Sequence, residues 1–179
     1  MTMVHPRTYD RYPLGTVVAA NAVSLAIYAS GAALISMLGT GWLVAYLVWA
    51  LWMEYRVLKG SCVNCAYYGK RCAFGKGVVC GGVFRRGSPD RFIRRKISWK
   101  DLLPDFATAL VPLVVGAVFL VIDFRWANLG FVAILVLATT VGNSTVRGRL
   151  ACKYCRQRAL GCPAERLFNK GQPRTSAKA

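Results

Sequence analysis

Histidine occurs once in the 179 residues, at His5. A haem held by two histidines inside a helical bundle is therefore excluded. Acidic residues are also scarce, seven Asp and Glu against twenty-four Lys and Arg. No apolar run carries a paired nucleophile and base, which argues against classical hydrolase chemistry. A cleavable leader is missing too. Met1 to Pro13 is polar, and the apolar block after it is too long for a signal core and has no convincing cleavage site, so it reads as a retained membrane helix.

Long stretches lack positive charge altogether. Leu14 to Met53 has no Lys or Arg, and Leu102 to Val146 has only Arg125. Twelve basic residues crowd between Arg56 and Lys100, and nine more follow from Arg147 onward. The chain is 55% hydrophobic yet carries a net charge of +17. Alternating apolar and basic blocks reconcile the two numbers, since loops on the cytoplasmic side of a membrane protein are enriched in Lys and Arg. Basic loops beside apolar spans are better explained by topology and anionic lipid than by nucleic acid, and no nucleic-acid partner is expected.

In chain order, residues 1–13 form a short cytosolic tail in which Tyr9 and Tyr12 suit the headgroup zone. Residues 14–58 contain two spans, Leu14 to Leu38 and Trp42 to Leu58. Gly39-Thr40-Gly41 is too short a link for anything but an antiparallel pair. The first span is long enough to cross about 30 Å of hydrocarbon. Its small residues Ala19, Ala22, Ala26, Ser30 and Ala33 have the spacing of a helix–helix contact. Glu54 lies near the end of the second span, where a surface partner such as Arg56 or a loop cation is preferred to proton handling at depth. Residues 59–100 make a cysteine- and glycine-rich loop that ends in an amphipathic interfacial segment, Asp90 to Lys100. Residues 101–146 hold the second pair of spans. Pro104 belongs in the first helical turn, and Pro112 predicts a kink. Residues 147–170 form a second cysteine segment, with a short helix opening at Pro163, and 171–179 read as a disordered tail.

The organising feature is a repeat. Cys62-Val-Asn-Cys65 followed six residues later by Cys72 has the same spacing as Cys152-Lys-Tyr-Cys155 and Cys162, at an offset of ninety. Each triplet follows two spans. The expected fold is therefore an all-α membrane protein: four transmembrane helices as two tandem hairpins, each followed by a cytosolic cysteine-rich loop, with a pseudo-twofold axis along the membrane normal. Both loops and both termini then share one face. The basic residues, twenty-three against one, assign that face to the cytoplasm.

Cytosolic thiols are kept reduced, so metal binding or thiol redox chemistry takes precedence over structural disulfides. A CxxC pair reaches one metal easily. A continuous helix would set Cys152 and Cys162 about 15 Å apart at 1.5 Å per residue, so a common site requires the chain to fold back. Gly69 offers that turn in the first copy, Gly161 and Pro163 in the second. Cys80 supplies a fourth thiolate to Cys62, Cys65 and Cys72. The second triplet lacks a counterpart, unless the two copies pool their thiols. Four thiolates suit Zn2+ or an iron–sulfur cluster. Cys162-Pro163 resembles the Cys-Pro ending of ferredoxin cluster motifs, although its six-residue gap is longer than theirs. The surrounding Lys and Arg are expected to offset thiolate charge and to lower the thiol pKa values.

Three uses compete. The first is a membrane redox component that exchanges electrons with a membrane partner or a lipid-soluble carrier. The second is a soft-metal handling or transport protein. The third is a zinc-stapled, non-catalytic scaffold. Four spans make a thin bundle, so a homo-oligomer is an additional expectation.

Overall fold

The computed structural model describes residues 8–95 and 98–163. His5, the end of the interfacial segment at Lys96 and Ile97, the segment after Pro163 and the tail from Gly171 lie outside the described residues. The elements are helical: α1 (Leu14–Ser36), α2 (Thr40–Gly60), α3 (Lys76–Val83), α4 (Pro89–Arg94), α5 (Trp99–Ile122), α6 (Trp126–Leu137), α7 (Asn143–Thr145) and α8 (Arg156–Gly161). Among the described residues there is no strand, only an isolated bridge between Tyr9 and Cys155.

Three helices are long and apolar enough to cross a membrane: Leu14–Ser36, Lys100–Ile122 and Trp126–Tyr154. The third is 29 residues long. It joins α6, a wide turn at Ala138–Gly142, α7 and a second wide turn at Val146–Ala151. The wide turns coincide with side chains that bond back onto the helix. Thr139 donates to Leu135 O at 2.7 Å, and Ser144 to Val141 O at 3.0 Å. Such back-bonding competes with the regular ladder. The second expected span, α2, is long enough but carries Trp42, Tyr46, Trp49, Trp52, Glu54, Tyr55 and Arg56, which dilute its apolar character.

α1 is the central helix and packs against α2, α5 and α6. A helix enclosed on several sides needs no polar stripe, and α1 is charge-free throughout. The contact residues are Ala20, Ser30, Gly31, Leu34 and Ile35. Of the small residues expected at this contact only Ser30 is buried, because the packing stripe is rotated away from Ala22 and Ala26. α5 packs well on α6 but only lightly on α2, so the bundle is not evenly twofold.

α5 starts earlier than its prolines suggest. Ser98 and Asp101 form a reciprocal capping box, which satisfies the first free N–H groups and leaves Pro104 in the second turn. The helix continues through Pro112. Pro112 has no N–H for the carbonyl of Thr108. The Tyr46 hydroxyl on α2 takes that place, donating to Thr108 O at 3.2 Å. Trp49 Nε1 donates to Thr108 Oγ1 at 3.1 Å. The interfacial segment is shorter than expected, with α4 covering only Pro89–Arg94.

The outer faces of these helices expose large apolar side chains, including Leu51 at 70% and Val121 at 88%. Surfaces of this kind are costly in water and ordinary against lipid.

Candidate functional site

The two CxxC segments have the same local structure. After α2, Cys62–Asn64 forms one tight helical turn, closed by Cys65 N–H donating to Cys62 O at 3.2 Å. After the long third span, Cys152–Tyr154 does the same, with Cys155 N–H donating to Cys152 O at 3.3 Å. In both copies the second cysteine is extended, at φ −81° for Cys65 and −79° for Cys155. In the first copy the thiols of Cys62 and Cys65 lie within electrostatic reach of one another. Backbone N–H groups after the turn, those of Ala66 and Tyr67 near Cys65 and those of Gln157 and Arg158 near Cys155, favour a thiolate at the second sulfur. The second triplet is thus not a continuous helix. It breaks at Cys155, which caps α8.

The third cysteines differ. In the first loop Gly69, at φ 71°, reverses the chain. Cys72 then leads to α3, a helix that sequence reasoning read only as glycine-rich turns. Gly77 N–H donates to Cys72 Sγ at 3.4 Å. A Cβ at Gly77 would fall 2.2 Å from Tyr67 O, so this close approach requires glycine. Cys80 is fully buried on α3, and its thiol donates to Leu58 O at 3.8 Å. A donating thiol is protonated, so Cys80 must give up this contact to become a ligand. Cys162 follows α8 in extended backbone and is half-buried.

The loops are held together by a reciprocal pair of bonds. Ala66 N–H donates to Gln157 Oε1 at 2.8 Å, and Arg156 N–H donates to Tyr67 Oη at 3.1 Å. Ala66 and Arg156 occupy the same position in the two copies, and so do Tyr67 and Gln157. Each second residue after the CxxC therefore reaches across to the first residue of the other loop.

Residues 9–12 are the third partner. They pack on both loops rather than standing free. Tyr12 is 1% exposed and forms a buried cluster with Tyr67, Ala73 and Ala151, against which Cys65, Cys72 and Cys155 pack. Tyr9 N–H donates to Tyr154 O at 3.1 Å in the second loop, and Tyr12 N–H to Arg71 O at 2.9 Å in the first. The Tyr12 hydroxyl donates to Ala151 O, and Asp10 pairs with Arg156 at 2.9 Å. Two tyrosines just ahead of an apolar span carry the same local signal whether they meet lipid or a folded loop, so this strap was not legible.

Burial outweighs the basic surroundings at the sulfurs. It pushes the Cys62 thiol up to about 12 and Cys155 up to about 11, and it raises Cys65 and Cys80 as well. At Cys62 the neighbouring thiols act in the same direction, and Lys76 opposes them. The expected lowering by Lys and Arg is thus overturned, because desolvation penalises the thiolate more than those charges favour it. The sulfurs of the two copies still feel one another, Cys65 with Cys162 and Cys155 with Cys65. No disulfide joins them. Among the described residues, no three Cys, His, Asp or Glu side chains converge closely enough to hold one metal ion. A closed four-thiolate site therefore does not fit this arrangement without movement of the loops.

Elsewhere, Glu54 pairs with a loop cation, Lys76, at 2.6 Å, and Arg56 pairs with Asp101 at 3.5 Å. The class these features define is an all-helical protein with three membrane-length helices and two paired cysteine turns at one end of the bundle. No protein-family model matches the chain, and no curated protein or solved structure gives a significant match.

Proposed function

We propose that this chain is a four-span membrane protein that captures a thiophilic metal on its paired cysteine loops and serves as a membrane redox component. The observation that carries the reading is the reciprocal pairing of the two CxxC turns, Ala66 to Gln157 and Arg156 to Tyr67. It joins two thiol pairs ninety residues apart and leaves backbone N–H groups beside both second cysteines, those of Ala66 and Tyr67 at Cys65 and those of Gln157 and Arg158 at Cys155. Such N–H groups lower the cost of a thiolate and of the negative charge on a thiolate-bound metal.

In this reading α2 is the fourth span, and the two helix pairs are related by a pseudo-twofold along the membrane normal. The cysteine loops are cytoplasmic, where basic side chains meet anionic lipid. An iron–sulfur cluster or zinc would draw on Cys62, Cys65, Cys72 and Cys80 in the first loop and on Cys152, Cys155 and Cys162 in the second. The protein's own contribution is to hold the CxxC turns rigid, to supply backbone N–H groups to the sulfurs and to exclude water with the Tyr12 cluster. A redox partner in the membrane, and self-association, belong to the same proposal.

One observation favours a second use, soft-metal handling. Among the described residues no three donors converge, and a soft monovalent ion such as Cu(I) is served by the two thiolates of a single CxxC turn.

Anaerobic purification followed by absorbance, metal and labile-sulfide analysis tests both. Broad visible absorbance with iron and sulfide supports the redox reading. Metal-free protein that takes up Cu(I) tightly supports the second. A colourless protein that binds neither iron, zinc nor copper after reconstitution overturns both.

A further inference from the structure

On the outer side of the bundle, α1, α2 and α3 border an open groove of about 600 Å³, within the size range of small-molecule sites. Its walls are Val17, Val18, Ala22 and Leu25 of α1. Val18 and Leu25 are 65% and 68% exposed, so in a bilayer the groove opens to lipid. Its polar end is a short relay. The Tyr28 hydroxyl donates to Glu54 Oε1 at 2.7 Å, and Glu54 Oε2 pairs with Lys76 at 2.6 Å.

The other donors of the groove are already engaged. Ser24 donates to Ala20 O at 3.0 Å, and the Asn21 amide nitrogen donates to Val17 O at 2.7 Å and Phe74 O at 3.3 Å. An incoming head meets further hydrogens on the Lys76 ammonium and oxygen lone pairs on Glu54, Tyr28, Ser24 and Asn21. The polar end has no net charge. An anionic headgroup drawn to Lys76 would be set against the Glu54 carboxylate. An uncharged head with a carbonyl oxygen meets no such repulsion. Lys76 also lies within electrostatic reach of Cys62, so the polar end of the groove adjoins the first cysteine turn.

We infer that this groove binds a lipid-soluble quinone, with a ring carbonyl accepting a hydrogen bond from Lys76 and the apolar tail lying along Val18 and Leu25. A quinone combines the three required properties: a neutral head, a carbonyl acceptor and a tail that enters from the bilayer. The choice of a quinone over another neutral amphiphile rests on the redox reading above; the groove and its neutral polar end do not.

The test uses the full chain in phospholipid nanodiscs, photolabelled with an azido derivative of a decyl-substituted benzoquinone. Adducts are mapped by mass spectrometry. Labelling is expected on residues 17–28 or beside Lys76, and the unlabelled benzoquinone should displace it. Lys76→Ala should reduce specific labelling about tenfold or more, the cost of one charge-assisted hydrogen bond. Leu25→Trp fills the groove from a lipid-facing position without touching the Tyr28–Glu54–Lys76 relay, and it should block labelling while leaving the thermal melt unchanged. Labelling that survives both substitutions overturns the inference. So does labelling spread over all helices, or displaced equally well by decanol. Metal analysis of the same samples separates the two readings: if the cysteine loops prove metal-free while displaceable labelling persists, the groove stands and the redox reading falls.

Discussion

Ala66 and Gln157 stand 91 positions apart and are joined by a 2.8 Å bond from the backbone N–H of one to the side-chain oxygen of the other. Gln157 is 3% exposed and Ala66 half-buried, so the Gln157 amide has no water as a ready substitute. Gln157→Ala should cost about 1–3 kcal/mol, the penalty for leaving a buried donor unpaired. Gln157→Glu keeps an acceptor oxygen and should recover part of that loss. Thermal melts in detergent compare the two, and equal melting temperatures for Gln157→Ala and the parent would show that the bond is unimportant.

Tyr12 ties the segment before α1 to both cysteine loops. Tyr12→Phe removes only the hydroxyl that bonds Ala151 O and should cost about 1 kcal/mol. Tyr12→Ala removes the ring and should cost about 3–5 kcal/mol, as large-to-small changes in a packed core do. Maleimide labelling of Cys65 and Cys155, which pack on the Tyr12 cluster, should speed up in Tyr12→Ala and stay near the parent rate in Tyr12→Phe.

The thiols set a pH dependence for the metal-free protein. Cys62 and Cys155 are raised from an ordinary value of 9.0 to about 12 and about 11. The folded state therefore holds these protons after the unfolded chain has lost them. The stabilisation is complete below pH 9 and is lost as pH rises from 9 through 11 to 12. Melts of metal-free protein should drop across that window, and the drop should shrink in Cys62→Ser. At pH 8 both thiols are protonated and should alkylate more slowly than in the unfolded chain.

Gly31 on α1 lies directly under Tyr46. A Cβ at that position would fall 2.2 Å from the Tyr46 hydroxyl oxygen. Gly31→Ala should push Tyr46 away from Thr108 O and destabilise the bundle by about 1–3 kcal/mol. Tyr46→Phe should cost about 1–3 kcal/mol by a different route, leaving the carbonyl opposite Pro112 without a donor. Because both act on one contact, the double substitution should cost less than the sum, a cycle readable from four melts, those of the parent, the two single variants and the double variant.

The four-span topology predicts sidedness. Phe124, which is 55% exposed between α5 and α6, should be reached from outside the cell when replaced by cysteine, with the native cysteines as serine. Cys152, which is exposed at the other end, should react with an impermeant maleimide only after the membrane is opened. Labelling of both positions from one side would contradict the proposed topology.

The amino-acid sequence by itself determined the apolar runs, their helical form and the duplicated cysteine turns. These follow from composition and short-range spacing, which act within a few residues of chain. It also offered Arg56 or a loop cation as the partner of Glu54, and packing chose the loop cation Lys76, leaving Arg56 to Asp101. The start of α5 is also written locally, in the three-residue spacing of Ser98 and Asp101 that a capping box requires. Tertiary packing alone decided that Tyr12 is interior rather than interfacial, that Cys80 faces Leu58, that burial raises the thiols, and that Gln157 answers Ala66. Each of those outcomes depends on a partner far away in the chain, and the same tyrosine, cysteine or glutamine would look identical in sequence if that partner were water or lipid.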